Sequence, residues 1–184
     1  MTGQGPANML VVGMCGAGKT TLARELSQRL GLRLIDMDEL RHGPGWSVRA
    51  QFAADVDRLT RDPGWVADSA AYTEVADLLW HRASCVVWLD LPRWTLARRL
   101  TGRTFRRVLA RQELWNGNRE SLRGLFRRTH PLAKALFGVE QRRAETARRL
   151  AEFDGRAVRL LTASDVRAWA SGYAPVQTWR TTSS

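Results

Sequence analysis

Apolar and polar positions along the chain switch repeatedly between strand-like runs and helical spacing. Residues 9–12 form a short apolar run suited to a buried strand, and residues 20–30 then carry Leu22, Leu26 and Leu30 at helical intervals. Residues 33–35 read as a second strand ending at Asp36. Residues 47–61 place Val48, Phe52, Val56 and Leu59 on one helical face, with Ser47 as the expected N-cap and Pro63-Gly64 as the stop. Residues 65–67 predict a third strand closing on Asp68, and Val75, Leu78, Leu79 and Trp80 a short helix. Residues 85–91 are a strongly apolar fourth strand halted by Pro92. A long helical stretch follows, interrupted around residues 115–118. A helix opened by Pro131 is expected to run to about Phe153, then a fifth strand over 157–161 and a last helix over 164–170 capped by Ser164.

Strand and helix patterns that alternate in this way imply a parallel sheet covered on both faces. The expected fold is α/β, a three-layer α/β/α arrangement around five parallel strands. A single domain should occupy residues 1–172, with a helical, arginine-rich lid near 93–130. The opening residues and the stretch 173–184, rich in small and polar residues, are expected to be mobile. In folds of this kind ligands sit beyond the carboxyl ends of the strands. That rule directs attention to the residues that follow each one.

After the first strand stands Gly-Met-Cys-Gly-Ala-Gly-Lys-Thr, residues 13–20, a complete phosphate-binding loop of the form GxxxxGK[ST] between a strand and a helix. Gly13, Cys15, Gly16, Ala17 and Gly18 supply backbone N–H groups for an anion at the positive end of the helix dipole. Lys19 is placed to reach the β- and γ-phosphates, the Thr20 hydroxyl to ligate Mg²⁺, and Thr21 to bond an α-phosphate. Asp36 and Asp38 follow the second strand in Ile-Asp-Met-Asp. One suits a Mg²⁺ site through water, and the other suits orienting an acceptor hydroxyl and taking its proton. Asp68, at the end of the third strand, is where a carboxylate would order the Mg²⁺ shell beside Thr20. Asp90 competes for that role, but Leu91-Pro92 turns the chain away, so Asp90 is expected to shape the entry to the lid.

Composition narrows the function classes. The chain has 184 residues and a net charge of +11, from 29 basic and 18 acidic side chains. All of the basic residues except Lys19 and Lys134 are arginines. Arg98, Arg99, Arg103, Arg106, Arg107 and Arg111 fall in one helical stretch, several on a shared face, where a bound polyanion would relieve their repulsion. This favours a nucleotide lid. A nucleic-acid footprint is the less favoured alternative, because aromatic residues do not interleave with the arginines as single-strand binding requires. No apolar stretch is long enough for a membrane span, no leader pattern precedes residue 9, and Cys15 and Cys85 do not make a disulfide framework. A cytoplasmic setting is expected. His42, His81 and His130 show no metal spacing. Trp46, Phe52 and Tyr72 are candidates to line an acceptor pocket.

Five segments in order, GMCGAGKTTLARELSQRLGL, LIDMDEL, WVADSAAY, VVWLDLPRWTLARRL and RQELWNGNRE, resemble the adenylate-kinase-like P-loop proteins of the DNA-topology-modulation type, over about residues 8–170. The Asp-x-Asp pair is similar to that of shikimate-type small-molecule kinases. The resemblance implies strand order 2-3-1-4-5 and an arginine lid in which Arg99, Arg103 and Arg107 stabilise the transferring phosphoryl. It also implies that Asp38 contacts the acceptor, that Asp36 helps organise Mg²⁺, and that the segment from Thr162 holds the adenine edge. Asp68-Ser69 departs from the usual Asp-Gly, and residues 41–46 are too short for an AMP-binding domain. The expected activity is transfer of the γ-phosphoryl of ATP, with Mg²⁺, to a hydroxyl or phosphate of a small molecule. A nucleotide-switched regulatory ATPase and plain ATP hydrolysis are the alternatives.

Overall fold

The computed structural model describes residues 8–68, 72–109, 138–172 and 178–179. Strands β1 (Met9–Gly13), β2 (Arg33–Ile35), β3 (Trp65–Asp68), β4 (Cys85–Leu89) and β5 (Arg156–Leu160) are all parallel, in the order β2-β3-β1-β4-β5. These are the five parallel strands expected, in the expected order; among the described residues a two-residue strand β6 (Thr178–Trp179) adds an antiparallel edge to β5. The addition falls within the stretch expected to be mobile. Two residues give no periodicity to read, which is why the pattern did not reveal it.

Among the described residues seven α-helices accompany the sheet: α1 (Lys19–Leu30), α2 (Met37–Arg41), α3 (Phe52–Thr60), α4 (Thr73–Arg82), α5 (Arg93–Leu109), α6 (Val139–Ala151) and α7 (Ala163–Ala170). The central strand is buried on both faces, Leu10 and Val11 each being 0% exposed. Alternate residues of the pleat divide the core in two. Val11, Val87 and Leu89 pack with Leu22, Leu26 and Leu96 of α1 and α5. Leu10, Val12 and Val86 pack with Phe52, Val56 and Leu79 of α3 and α4. The register sets Val11 beside Asp68 and Gly13 beside Leu89, so the ends of β1, β3 and β4 meet at one edge.

Three local expectations are corrected. The helix read over 47–61 begins only at Phe52, and Ser47 does not cap it. Residues 41–49 form a small hairpin instead. Val48 bridges His42, the Gly43 amide donates to the Ser47 carbonyl (2.8 Å), and the Ser47 hydroxyl donates to the Pro44 carbonyl (2.9 Å). Val48 is 53% exposed, so its match to the helical stripe was fortuitous. The cap of α7 is Thr162 rather than Ser164. Its hydroxyl accepts from the Asp165 amide while Asp165 accepts from the Thr162 amide, a reciprocal capping box. Strand β4 stops at Leu89, where the Asp90 amide donates to the Leu160 carbonyl. The interruption near 115–118, the start at Pro131 and most of the expected lid lie outside the described residues.

Candidate active site

The loop that follows β1 depends on glycine at two points. A Cβ on Gly13 would stand 2.6 Å from the Leu89 carbonyl oxygen. Gly18, the residue that opens α1, has φ 96°, a conformation that L side chains rarely adopt. The first turn of α1 holds no acidic side chain, so its free N–H groups and positive dipole end are left for an anion. Gly13, Cys15, Gly16, Gly18, Lys19 and Thr20 are half-buried, Ala17 is buried, and Thr21 is exposed. The Lys19 ammonium donates to the Met14 carbonyl (3.2 Å), which keeps its charge on the loop.

Helix α5 passes directly over this loop. Arg99 donates to the Ala17 carbonyl (2.9 Å), and its guanidinium would lie 3.6 Å from a Cβ on Gly18. Arg103, one turn further on, is half-buried and its Nε has no partner. Arg107 lies in the last turns of α5, and its side chain falls outside the described residues.

The three acidic candidates occupy distinct positions. Asp68 is 3% exposed; it accepts from the Met37 amide (3.0 Å) and from the Thr20 hydroxyl, so the ends of β3 and α1 are tied together. Burial pushes its pKa up to about 6; the Thr20 and Met37 bonds pull the other way, and nearby Asp36 adds to the rise. Asp36 caps α2 by accepting from the Glu39 amide (3.2 Å) and also receives Arg24 of α1 (3.1 Å). Asp38 lies inside α2, where the Tyr72 hydroxyl donates to it. Tyr72 in turn lies 3.3 Å from His42 Nε2 and 4.5 Å beneath the Arg41 guanidinium. Burial, together with the Asp38 charge, raises the Tyr72 pKa well above its ordinary value, so Tyr72 stays a donor.

These donors suit a nucleotide-borne Mg²⁺. A hydroxyl and a buried carboxylate touch, burial makes that carboxylate resist ionising although the Lys19 charge favours it, and a second carboxylate stands close by. No cluster of three or more His, Cys, Asp or Glu side chains arranged for a metal occurs among the described residues.

Asp90 is spoken for elsewhere. Arg143 of α6 (2.6 Å) and Arg159 of β5 (2.5 Å) both bind it, and a cleft of about 590 Å³ beside this trio includes no residue of the loop. Thr162 follows β5 as expected, with its hydroxyl committed to the α7 cap. Sequence reasoning missed Arg24 and the Arg143 and Arg159 clamp, because ion pairs that bridge distant segments leave no local pattern.

The Asp68 environment carries a prediction for the protein without nucleotide or metal. Its folded-state pKa lies above the unfolded value of 3.8, so ionisation costs stability as pH rises through 4 to 6. Asp68→Asn removes that cost. The variant should gain up to about 3 kcal/mol over the parent above pH 7 and about nothing near pH 4, as read by denaturant titration across pH. A gain independent of pH would contradict the assignment.

The family model for shikimate kinase matches residues 15–53, which contain most of the loop and the Asp36–Asp38 pair. A shikimate kinase from Thermosynechococcus vestitus is 59% identical over 34 residues, 18% of this chain and 19% of that one. The Pentafunctional AROM polypeptide 2 of Lodderomyces elongisporus is 32% identical over 71 residues, 39% of this chain, and the match spans only 4% of that polypeptide. A solved shikimate kinase from Acinetobacter baumannii, in complex with shikimate, superposes with a TM-score of 0.57 at 20% identity, covering 91% of this chain and 90% of that one. No helix among the described residues is long and apolar enough to cross a membrane. The chain thus carries a stretch similar to shikimate kinases around its phosphate loop, on the fold of the P-loop small-molecule kinases.

Proposed function

We propose that this protein is an ATP- and Mg²⁺-dependent phosphotransferase acting on a small molecule. The observation that carries this reading is the meeting, at one sheet edge, of the phosphate loop, the Thr20–Asp68 pair and Asp38. The loop N–H groups and Lys19 would hold the β- and γ-phosphates, and Arg99 would close on them from α5, with Arg103 and Arg107 further along that helix. Thr20 and Asp68, with Asp36 behind them, would hold Mg²⁺, which would supply positive charge to offset that of the phosphates. Tyr72 occupies one oxygen of Asp38 and leaves the other for an acceptor hydroxyl. The backbone after β5, near Thr162, is the proposed edge for adenine. A cytoplasmic setting fits the two free cysteines, Cys15 and Cys85.

A nucleic-acid-binding ATPase is the second reading, and one observation favours it. Trp94 (74% exposed) and Phe105 (59%) accompany the exposed Arg98 on α5, so aromatic residues do interleave with arginines there.

The deciding experiment incubates the protein with ATP, Mg²⁺ and a mixed pool of hydroxylated metabolites, then quantifies ADP, free phosphate and phosphorylated product. ADP matched by product supports the kinase. ADP matched by free phosphate overturns it. Arg99→Ala should raise the KM for ATP about tenfold, the scale of one charge-assisted hydrogen bond, with little change in the KM for the acceptor. An unchanged KM for ATP would remove Arg99 from the site.

A further inference from the structure

Around Asp38 four aromatic rings form a chain from the core to the surface. Phe52 meets Tyr72 edge-on (5.6 Å between centroids), Tyr72 meets His42 (6.2 Å), and His42 meets Trp46 (5.3 Å), with interplanar angles of 76–85°. Phe52 is 3% exposed and Trp46 is 41% exposed. Trp46 sits at the tip of the 41–49 hairpin with φ 62°, the one non-glycine residue with positive φ among those described. A bulky side chain in that region is a genuine outlier, and such strain concentrates where ligands bind. The hairpin bonds hold the conformation in place.

Charge on this side of the site is one-sided. Arg24 is bound to Asp36 (3.1 Å), Arg41 to Glu74 (2.8 Å) and Arg49 to Asp55 (3.1 Å). Each of these guanidinium groups has a carboxylate partner from the chain, although the buried Arg41 Nε has no hydrogen-bond partner, and α2 adds the half-buried Asp38 and the exposed Glu39. Burial lowers the His42 pKa, so this ring adds no charge near neutrality. A carboxylate or phosphate on the acceptor would meet like charge there. An uncharged compound with a planar ring meets rings and a hydrogen-bonding carboxylate.

We infer that the phosphoryl acceptor is an uncharged alcohol bearing a planar ring, of the nucleoside class, whose ring stacks on Trp46 while its hydroxyl meets Asp38. This rests on the kinase reading and narrows its substrate. The acceptor oxygen forms a new bond to the γ-phosphorus as the bond from that phosphorus to the β–γ bridging oxygen breaks. The hydroxyl proton passes to Asp38, and ADP leaves with the bond's electron pair.

Trp46→Gly tests the inference without endangering the fold, because glycine adopts φ 62° freely. Thymidine, adenosine, thymidine monophosphate, gluconate and shikimate are compared in transfer assays with ATP and Mg²⁺, and by calorimetric titration. A nucleoside should give the highest kcat/KM, at least about tenfold above every anionic compound. Trp46→Gly should weaken nucleoside binding at least about tenfold, the scale of one base–aromatic stack, with no fall in Tm. Trp46→Phe should restore most of the binding. The inference is overturned if an anionic acceptor is the best substrate, if Trp46→Gly binds nucleosides as the parent does, or if no compound binds. Tenfold weaker nucleoside binding in Trp46→Gly without product from any acceptor would support the ring site and defeat the kinase reading alone.

Discussion

Lys19→Ala should lower phosphoryl transfer at least about a hundredfold, the loss expected when one key electrostatic contact to a developing charge is removed. The ammonium is anchored on the Met14 carbonyl at the head of a helix whose first turn has no acidic side chain. Its charge, together with that of Arg99, is therefore a fixed side-chain countercharge for a phosphate entering the loop. Lys19 is half-buried and donates only to a backbone carbonyl, so alanine removes little packing and the fold should persist. Single-turnover measurement at saturating ATP isolates the transfer step, and an unchanged Tm confirms folding. Near-normal turnover in a folded variant would show that the loop does not hold the transferring group.

What could be read from the chain was whatever repeats locally. The β1 run, the eight-residue loop and the α1 stripe adjoin in sequence, and each carries its own periodic or glycine signal, so residues 9–30 came out nearly as observed. Asp36, Asp38 and Asp68 were found by a positional rule, that ligands gather beyond strand ends. Their hydrogen-bond partners were not legible. Asp36 proves to be the cap of α2 and Asp38 the residue held by Tyr72, 34 positions away. The hairpin at 41–49 was hidden because Val48, Phe52 and Val56 match a helical stripe, which the Val48–His42 bridge and the bonds around Ser47 break. The Asp90 clamp joins residues 53 and 69 apart, where no window of sequence pattern reaches. Tertiary bonds overrode local propensity at those points, much as they do at most functional sites.

Asp38→Asn should reduce transfer about a hundredfold or more while leaving ATP affinity nearly unchanged, which is what separates it from Asp68→Asn. Asparagine keeps an oxygen that can accept from the Tyr72 hydroxyl, so the contact that positions the side chain survives. What it loses is the capacity to take a proton, and general base catalysis is worth roughly a hundredfold to ten-thousandfold. Asp68, by contrast, touches Thr20 and the Met37 amide and stands beside Asp36, on the phosphate side of the site. Its replacement should weaken nucleotide binding only when Mg²⁺ is present. Calorimetry of ATP with and without Mg²⁺, run beside a transfer assay, distinguishes the two carboxylates. Tyr72→Phe adds a third measurement, because it leaves Asp38 ionisable but unheld. A partial loss there, smaller than that of Asp38→Asn, is expected of a positioning residue. Equal loss of Mg²⁺-dependent ATP affinity in Asp38→Asn and Asp68→Asn would reassign Asp38 to the metal side and leave the acceptor hydroxyl without its base.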